Sequence, residues 1–195
     1  MISVIILIVL IQSWPAVVSA ETDNPEDVVY YTESGHAEFT SRVPLHTFTG
    51  ESRNLVGMID LQKNVIDFYL DLSTLETGIS RRDRDMFRTL DVDEFPFAEF
   101  SGTLDSGFDY QSPEKQSVVT RGEFKIHGVT QDVSIEGTLQ MQGENLYLEA
   151  EWTLMLEDYD IEPPGILFYR VNDEQELRIE VTLSPHSRDI LSTGN

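Results

Sequence analysis

Arg121-Gly122-Glu123-Phe124-Lys125-Ile126-His127-Gly128-Val129-Thr130 is the stretch whose reading decides the fold. Gly122, Phe124 and Ile126 alternate with Arg121, Glu123 and Lys125, so one side is apolar and the other charged, which is the period of a half-buried strand. His127-Gly128 then reads as a bend in water, with Gly128 absorbing a backbone angle that side chains disfavour. Past the bend, Val133, Ile135, Gly137 and Leu139 alternate with Ser134, Glu136 and Thr138. The whole is two paired strands, each with a single apolar face.

The same period recurs on both sides. Ile66, Phe68, Leu70 and Leu72 oppose Asp67, Tyr69 and Asp71; Ala98, Phe100, Gly102 and Leu104 oppose Glu99, Ser101 and Thr103. Leu146, Leu148, Ala150, Trp152 and Leu154 oppose Tyr147, Glu149, Glu151 and Thr153, and Leu177, Ile179, Val181 and Leu183 oppose Arg178, Glu180 and Thr182. With Ala37 to Arg42 and Leu55 to Leu61, about eight strands result, parted by turn signals such as Ser106-Gly107 and Gln142-Gly143-Glu144-Asn145. This is an all-β chain. One-faced strands in series need a second sheet or closure on themselves, and about eight strands are enough to close into an antiparallel β-barrel. Met86, Phe87 and Leu90 amid charge predict a short helical insertion near residues 81–90, and Phe95-Pro96 reads as the start of the next strand.

A length of 195 residues with 40% hydrophobic and 10% aromatic content fits one domain with a sizeable core. Residues 1–20 carry no charge, hold the run Ile5 to Ile11, and end in the small residues Val18-Ser19-Ala20, the pattern of a signal peptide. Gln12, Ser13 and Pro15 break the run before it reaches bilayer-spanning length, so no stable membrane insertion is expected after cleavage. No Lys or Arg precedes the run, which suits a start upstream of Met1. The expected layout is signal 1–20, disordered leader 21–29, folded domain 30–185 and tail 186–195. With no cysteine there is neither a disulfide nor a thiol to acylate. The net charge of −22, from 13 Lys+Arg against 35 Asp+Glu, leaves no basic stripe for nucleic acid and disfavours anionic lipid surfaces. Its plain reading is a surface kept soluble by self-repulsion.

Three segments, taken together, carry a resemblance: Leu75-Glu76-Thr77-Gly78-Ile79-Ser80-Arg81-Arg82-Asp83-Arg84-Asp85-Met86, then Phe95-Pro96-Phe97-Ala98-Glu99-Phe100, then Gly122 to Thr130. In order and spacing they resemble the YceI-like family of extracytoplasmic proteins, from roughly Ala37 to Leu183. The resemblance implies a lipocalin-like barrel, a periplasmic or secreted location and a polyisoprenoid ligand. Arg82 and Asp83 are expected to pair across the loop after Thr77-Gly78. This chain departs from the family pattern in reading Arg84-Asp85-Met86 next and in shortening the run to Phe95-Pro96.

Catalytic signatures are lacking in the sequence. Gly50-Glu51-Ser52-Arg53-Asn54 ends in asparagine where a nucleophile elbow needs glycine. His36, His46, His127 and His186 are dispersed without a zinc-binding spacing, and no phosphate-binding loop occurs. Asp91-x-Asp93-x-Phe95 and the loop Asp158 to Gly165 miss the calcium-loop spacing. No catalytic residue, metal ligand or cofactor is therefore expected.

A closed barrel would turn an apolar set inward, and the expected ligand-binding residues are Phe68, Leu70, Phe100, Gly102, Leu104, Gly122, Phe124, Ile126, Trp152 and Leu154. Gly102, Gly122 and Gly137 fall in that register, where a missing side chain leaves room or permits a sharp bend. The functional expectation is a non-enzymatic binding protein for a polyisoprenoid or similar apolar chain, as monomer or homodimer. The alternative is a solidly packed acidic scaffold or stress-related interaction protein that meets a basic partner.

Overall fold

The computed structural model describes residues 28–43, 46–105, 107–163, 165–166, 169–170 and 172–187. The expected signal peptide, most of the leader and all but the first two residues of the tail lie outside the described residues. The strands are β1 (Val28–Val43), β2 (His46–Asp60), β3 (Val65–Asp71), β4 (Phe97–Leu104), β5 (Gln116–Ile126), β6 (Val129–Gln142), β7 (Asn145–Met155), the two-residue β8 (Gly165–Ile166) and β9 (Tyr169–Arg170), and β10 (Glu174–Ser187). One α-helix, α1 (Ser80–Thr89), lies among the described residues.

β1 to β7 and β10 form a closed antiparallel ring in which chain neighbours pair and β1 meets β10. Closure pairs every long strand on both sides, so no backbone edge of the ring is left to recruit another chain. At the β5–β6 hairpin, His127 and Gly128 have φ of 54° and 74°. Two consecutive positive φ values make a turn whose twist matches the strands it joins. Phe124 and Ile126 are buried while Arg121, Glu123 and Lys125 are exposed, as the period requires. This inside-out order is the reverse of a membrane-spanning barrel, whose outer band is apolar. Among the described residues no helix is long and apolar enough to cross a membrane.

Boundaries depart from expectation where the alternation is interrupted. β1 begins at Val28 rather than near Ala37, because its register slips between Tyr31 and His36; a bulge offsets the period and hides the strand from a pattern search. β10 likewise runs on through His186 and Ser187. β4 starts at Phe97, not at Phe95-Pro96; the Pro96 carbonyl instead accepts the Leu72 amide at 2.9 Å and ties the two ends of the β3–β4 connection together.

The two ends of the ring differ. At the end with the β2–β3, β4–β5 and β6–β7 connections, Ile59, Leu139, Leu146 and Leu183 are each 0% exposed, and their branched side chains fill the barrel. Leu104, the last residue of β4, belongs to this packing. The other end carries α1, the β5–β6 turn and the β7–β10 connection. There the 3₁₀ turn Leu156–Tyr159 and Ile161 after it are folded inward, with Tyr159 and Ile161 both buried. A stretch whose prolines predict only a loop thus adds to the core.

Gly102 and Gly122 stand directly opposite each other across β4 and β5. A Cβ on Gly122 would lie 2.2 Å from the Ser101 carbonyl oxygen and 2.5 Å from the Gly102 Cα. These glycines permit close backbone approach; the room in the lumen has another source. Gly122→Ala is expected to cost about 1–3 kcal/mol by forcing the strands apart, whereas Gly107→Ala, with nothing within 4 Å, should stay within about 0.5 kcal/mol of the parent. Urea midpoints of the two variants check this. On the outer wall, Glu149 accepts Lys115 Nζ at 2.8 Å and an Arg178 guanidinium nitrogen at 3.0 Å, and these bonds hold its carboxyl below the ordinary range. A carboxyl depressed in the folded state adds stability above its unfolded pKa of about 4.3 and loses it as pH falls through the lower folded value. Denaturation series from pH 5 downward should therefore show a shallower acid loss in Glu149→Gln than in the parent.

Candidate functional site: an apolar cavity under α1

A cavity of about 880 Å³ occupies the α1 half of the barrel. Seven of the ten residues expected to bind ligand line it: Phe68, Leu70, Phe100, Phe124, Ile126, Trp152 and Leu154. Gly102 and Gly122 do not, being committed to the β4–β5 approach, and neither does Leu104, which packs the closed end. The period-two pattern finds the wall because strand side chains alternate strictly. It does not find Leu75, Met86, Leu90, Leu156 and Ile161, which reach the same cavity from the connections at the open end. Buried aliphatic residues inside Pro- and charge-rich connections were the available signal.

The space comes from how the rings lie. A Cβ on Gly57 would fall 2.0 Å from the Phe68 ring, and one on Gly50 would fall 2.2 Å from the Phe39 ring; each glycine is the direct cross-strand partner of its phenylalanine. Both rings therefore rest over the neighbouring strand instead of projecting across the lumen. Farther round, Phe124 meets Trp152 and Tyr159 edge-to-face at 6.1 and 5.8 Å, an arrangement favoured by the ring quadrupoles. Burial raises the Tyr159 phenol above its ordinary pKa.

His127 fixes this corner. Its Nδ1–H donates to the Tyr159 carbonyl at 3.1 Å, and its ring packs 5.4 Å from that of Phe95. The expected solvated turn histidine is instead half-buried and clamps the β7–β10 connection to the β5–β6 turn.

α1 is held over the opening by its N-terminal approach. Gly78 takes φ of 73°, and the Asp83 carboxylate accepts both the Thr77 amide at 2.8 Å and the Thr77 hydroxyl. Paired backbone bonds between Glu51 and Glu76, at 2.9 and 3.0 Å, clip this approach to β2. The expected Arg82–Asp83 ion pair does not form, since Asp83 is turned back to Thr77. Arg82 lies instead with its guanidinium 4.5 Å from the centre of the Phe48 ring, a cation–π contact at the mouth. Arg81, Arg82 and Arg88 border the cavity there.

The polar groups on the cavity wall are sparse. Thr120 Oγ1 donates to the Ile135 carbonyl, and the Gln175 amide donates to the Asn172 carbonyl at 2.6 Å. Ser41 is 1% exposed and its hydroxyl has no hydrogen-bond partner among the described residues. Outward-facing on β1 and β2, His36 Nε2 lies 3.0 Å from Glu51 Oε2, and with Glu38 the three ligand atoms fall within 4.8 Å of one another. Such a set suits a divalent cation chemically; the search for a His-x-His spacing missed it because the strand pairing, not the sequence, joins it.

Solved structures share this architecture at low identity. A polyisoprenoid binding domain from Saccharophagus degradans implicated in plant cell wall breakdown is 15% identical with a TM-score of 0.69, over 81% of this chain and 98% of that one. BcnA of Burkholderia cenocepacia is 12% identical with a TM-score of 0.63, over 76% and 95%. The Campylobacter jejuni YceI protein is 15% identical with a TM-score of 0.55, over 71% and 84%. Identities this low speak for the fold alone. No curated protein matches the chain in sequence. The YceI-like domain family matches residues 30–183, a span that takes in the ring from β1 to β10, the α1 connection and the cavity, and on that match the chain belongs to the YceI-like family.

Proposed function

We propose that the protein is a non-enzymatic carrier that holds a polyisoprenoid or similar long apolar chain inside the barrel, after export to the periplasm or the exterior. The observation that carries this reading is the apolar cavity of about 880 Å³, filled at one end by Ile59, Leu139, Leu146 and Leu183 and opening beneath α1. Each methylene moved from water into such a space contributes roughly 0.8 kcal/mol, so a long chain binds through length and shape, with no nucleophile and no metal. The description of the Saccharophagus degradans domain as polyisoprenoid binding supports the chain class, and the apolar segment at residues 1–20 supports export. The solid-scaffold alternative requires a filled lumen, which a cavity of this size disfavours.

Organic extraction of the purified full chain, followed by lipid mass spectrometry, is expected to release an apolar chain in near-stoichiometric amount. Ala150→Phe places a ring on the cavity wall beside Trp152 and should lower that yield severalfold with the circular dichroism spectrum preserved. Repeated recovery of apo protein alone, or full occupancy in a folded Ala150→Phe variant, would contradict the proposal.

A further inference from the structure

We infer that the mouth of the cavity binds an anionic head group on the apolar chain, a carboxylate or phosphate, with Arg82 and Ser41 as its donors; this rests on the carrier reading and names the ligand's polar end. Three observations converge on one place. Ser41 and Phe48 are direct cross-strand partners on β1 and β2, so their side chains stand next to each other on the cavity wall. Arg82 stacks on that same Phe48 ring. The Ser41 hydroxyl, buried and with no partner among the described residues, is thus an available donor beside the ring that carries the Arg82 guanidinium.

Among the described residues Arg53, Arg81, Arg82 and Arg84 have no ionic partner, and of these four Arg82 is the one seated on an aromatic face at the cavity mouth. With 35 Asp+Glu and 13 Lys+Arg, a cation can find a carboxylate, as Arg42, Lys115, Arg121 and Arg178 do. The Arg82 contact is the aromatic face, which orients the guanidinium and leaves its N–H fork free. The neighbouring aspartates do not cancel it. Asp83 is spent on Thr77, and Asp85 pairs with Arg88 at 3.3 Å. Ser80 to Leu90 holds four arginines against two aspartates, inside a chain of net charge −22. The α1 N-terminus has no side-chain cap and lies at the same mouth, so its unpaired N–H groups favour negative charge there as well. A neutral head would leave the guanidinium unpaired, whereas a carboxylate or phosphate accepts charge-assisted bonds from it and a further bond from Ser41. The cavity lining also holds Glu38 and Asp85, but Arg81, Arg82, Arg88 and Arg178 outnumber them, which disfavours a cationic head.

The test uses one chain with three heads. Dodecyl phosphate, dodecanoate and dodecanol compete with a fluorescent apolar probe bound to the full-length protein. The anions are expected to bind at least roughly tenfold tighter than the alcohol, as a charge-assisted pair implies, and the tighter of the two anions identifies the head as phosphate or carboxylate. Arg82→Gln should remove the preference and leave dodecanol unchanged. Arg84→Gln, the same charge change on α1 but away from the cavity lining, should keep it. Equal binding of all three heads, or equal losses in Arg82→Gln and Arg84→Gln, overturns the inference and leaves the carrier reading standing. Binding of none of them overturns both. If Arg82→Gln does not fold, Ser41→Ala reads the same site: a severalfold weaker anion preference with dodecanol unaffected supports the inference, and an unchanged preference overturns it.

Discussion

Because Gly57 and Gly50 carry no side chain, the rings of Phe68 and Phe39 come to rest against the adjacent strand instead of crossing the lumen, and the open half of the barrel depends on that placement. A phenylalanine is large enough to block a narrow barrel if it points at the axis. Lying over a glycine, it buries apolar surface just as well and removes little of the enclosed volume. The other half is built differently, with branched aliphatic side chains that interdigitate to full burial. One ring of strands therefore supplies both a packed core that stabilises the fold and a chamber of about 880 Å³.

The chamber gains its shape from the connections at its open end. The Thr77–Asp83 bonds and the Glu51–Glu76 pairing hold α1 over the opening, while His127 holds the Tyr159 backbone on the opposite side. These are short-range restraints on otherwise polar connections, and they turn Met86, Leu90, Leu156 and Ile161 toward the interior. Chemistry is divided accordingly. The strands provide apolar walls, which on the proposed function would select a chain by length and width, and the α1 region places Arg81, Arg82 and Arg88 at the mouth.

Much of this was legible in the sequence. Strict alternation located six of the eight ring strands, and seven of the ten residues expected to bind ligand line the cavity, because on a strand the inward choice follows from position alone. The β1 and β2 boundaries were obscured where a register slip near His36 breaks the period. Gly102 and Gly122 were misread for a related reason: alternation says which way a residue faces, not how closely the next backbone approaches. Asp83 choosing Thr77 over Arg82, and Arg82 choosing Phe48, depend on which groups the fold brings together, and neither contact has a signature in sequence spacing. The ring order follows from hairpin connectivity, whereas the volume inside depends on rotamers that no pattern encodes.

The most direct test of an open, chain-accepting lumen uses the indole on its wall. The chain has two tryptophans; with Trp14 replaced by Phe, fluorescence reports on Trp152 alone, which lines the cavity beside Phe124. Titration with a fatty chain brominated near its tail should quench that emission steeply and saturate at one equivalent. Emission unchanged through several equivalents, with the protein folded, would mean that the chain does not enter and that the account of the cavity is wrong.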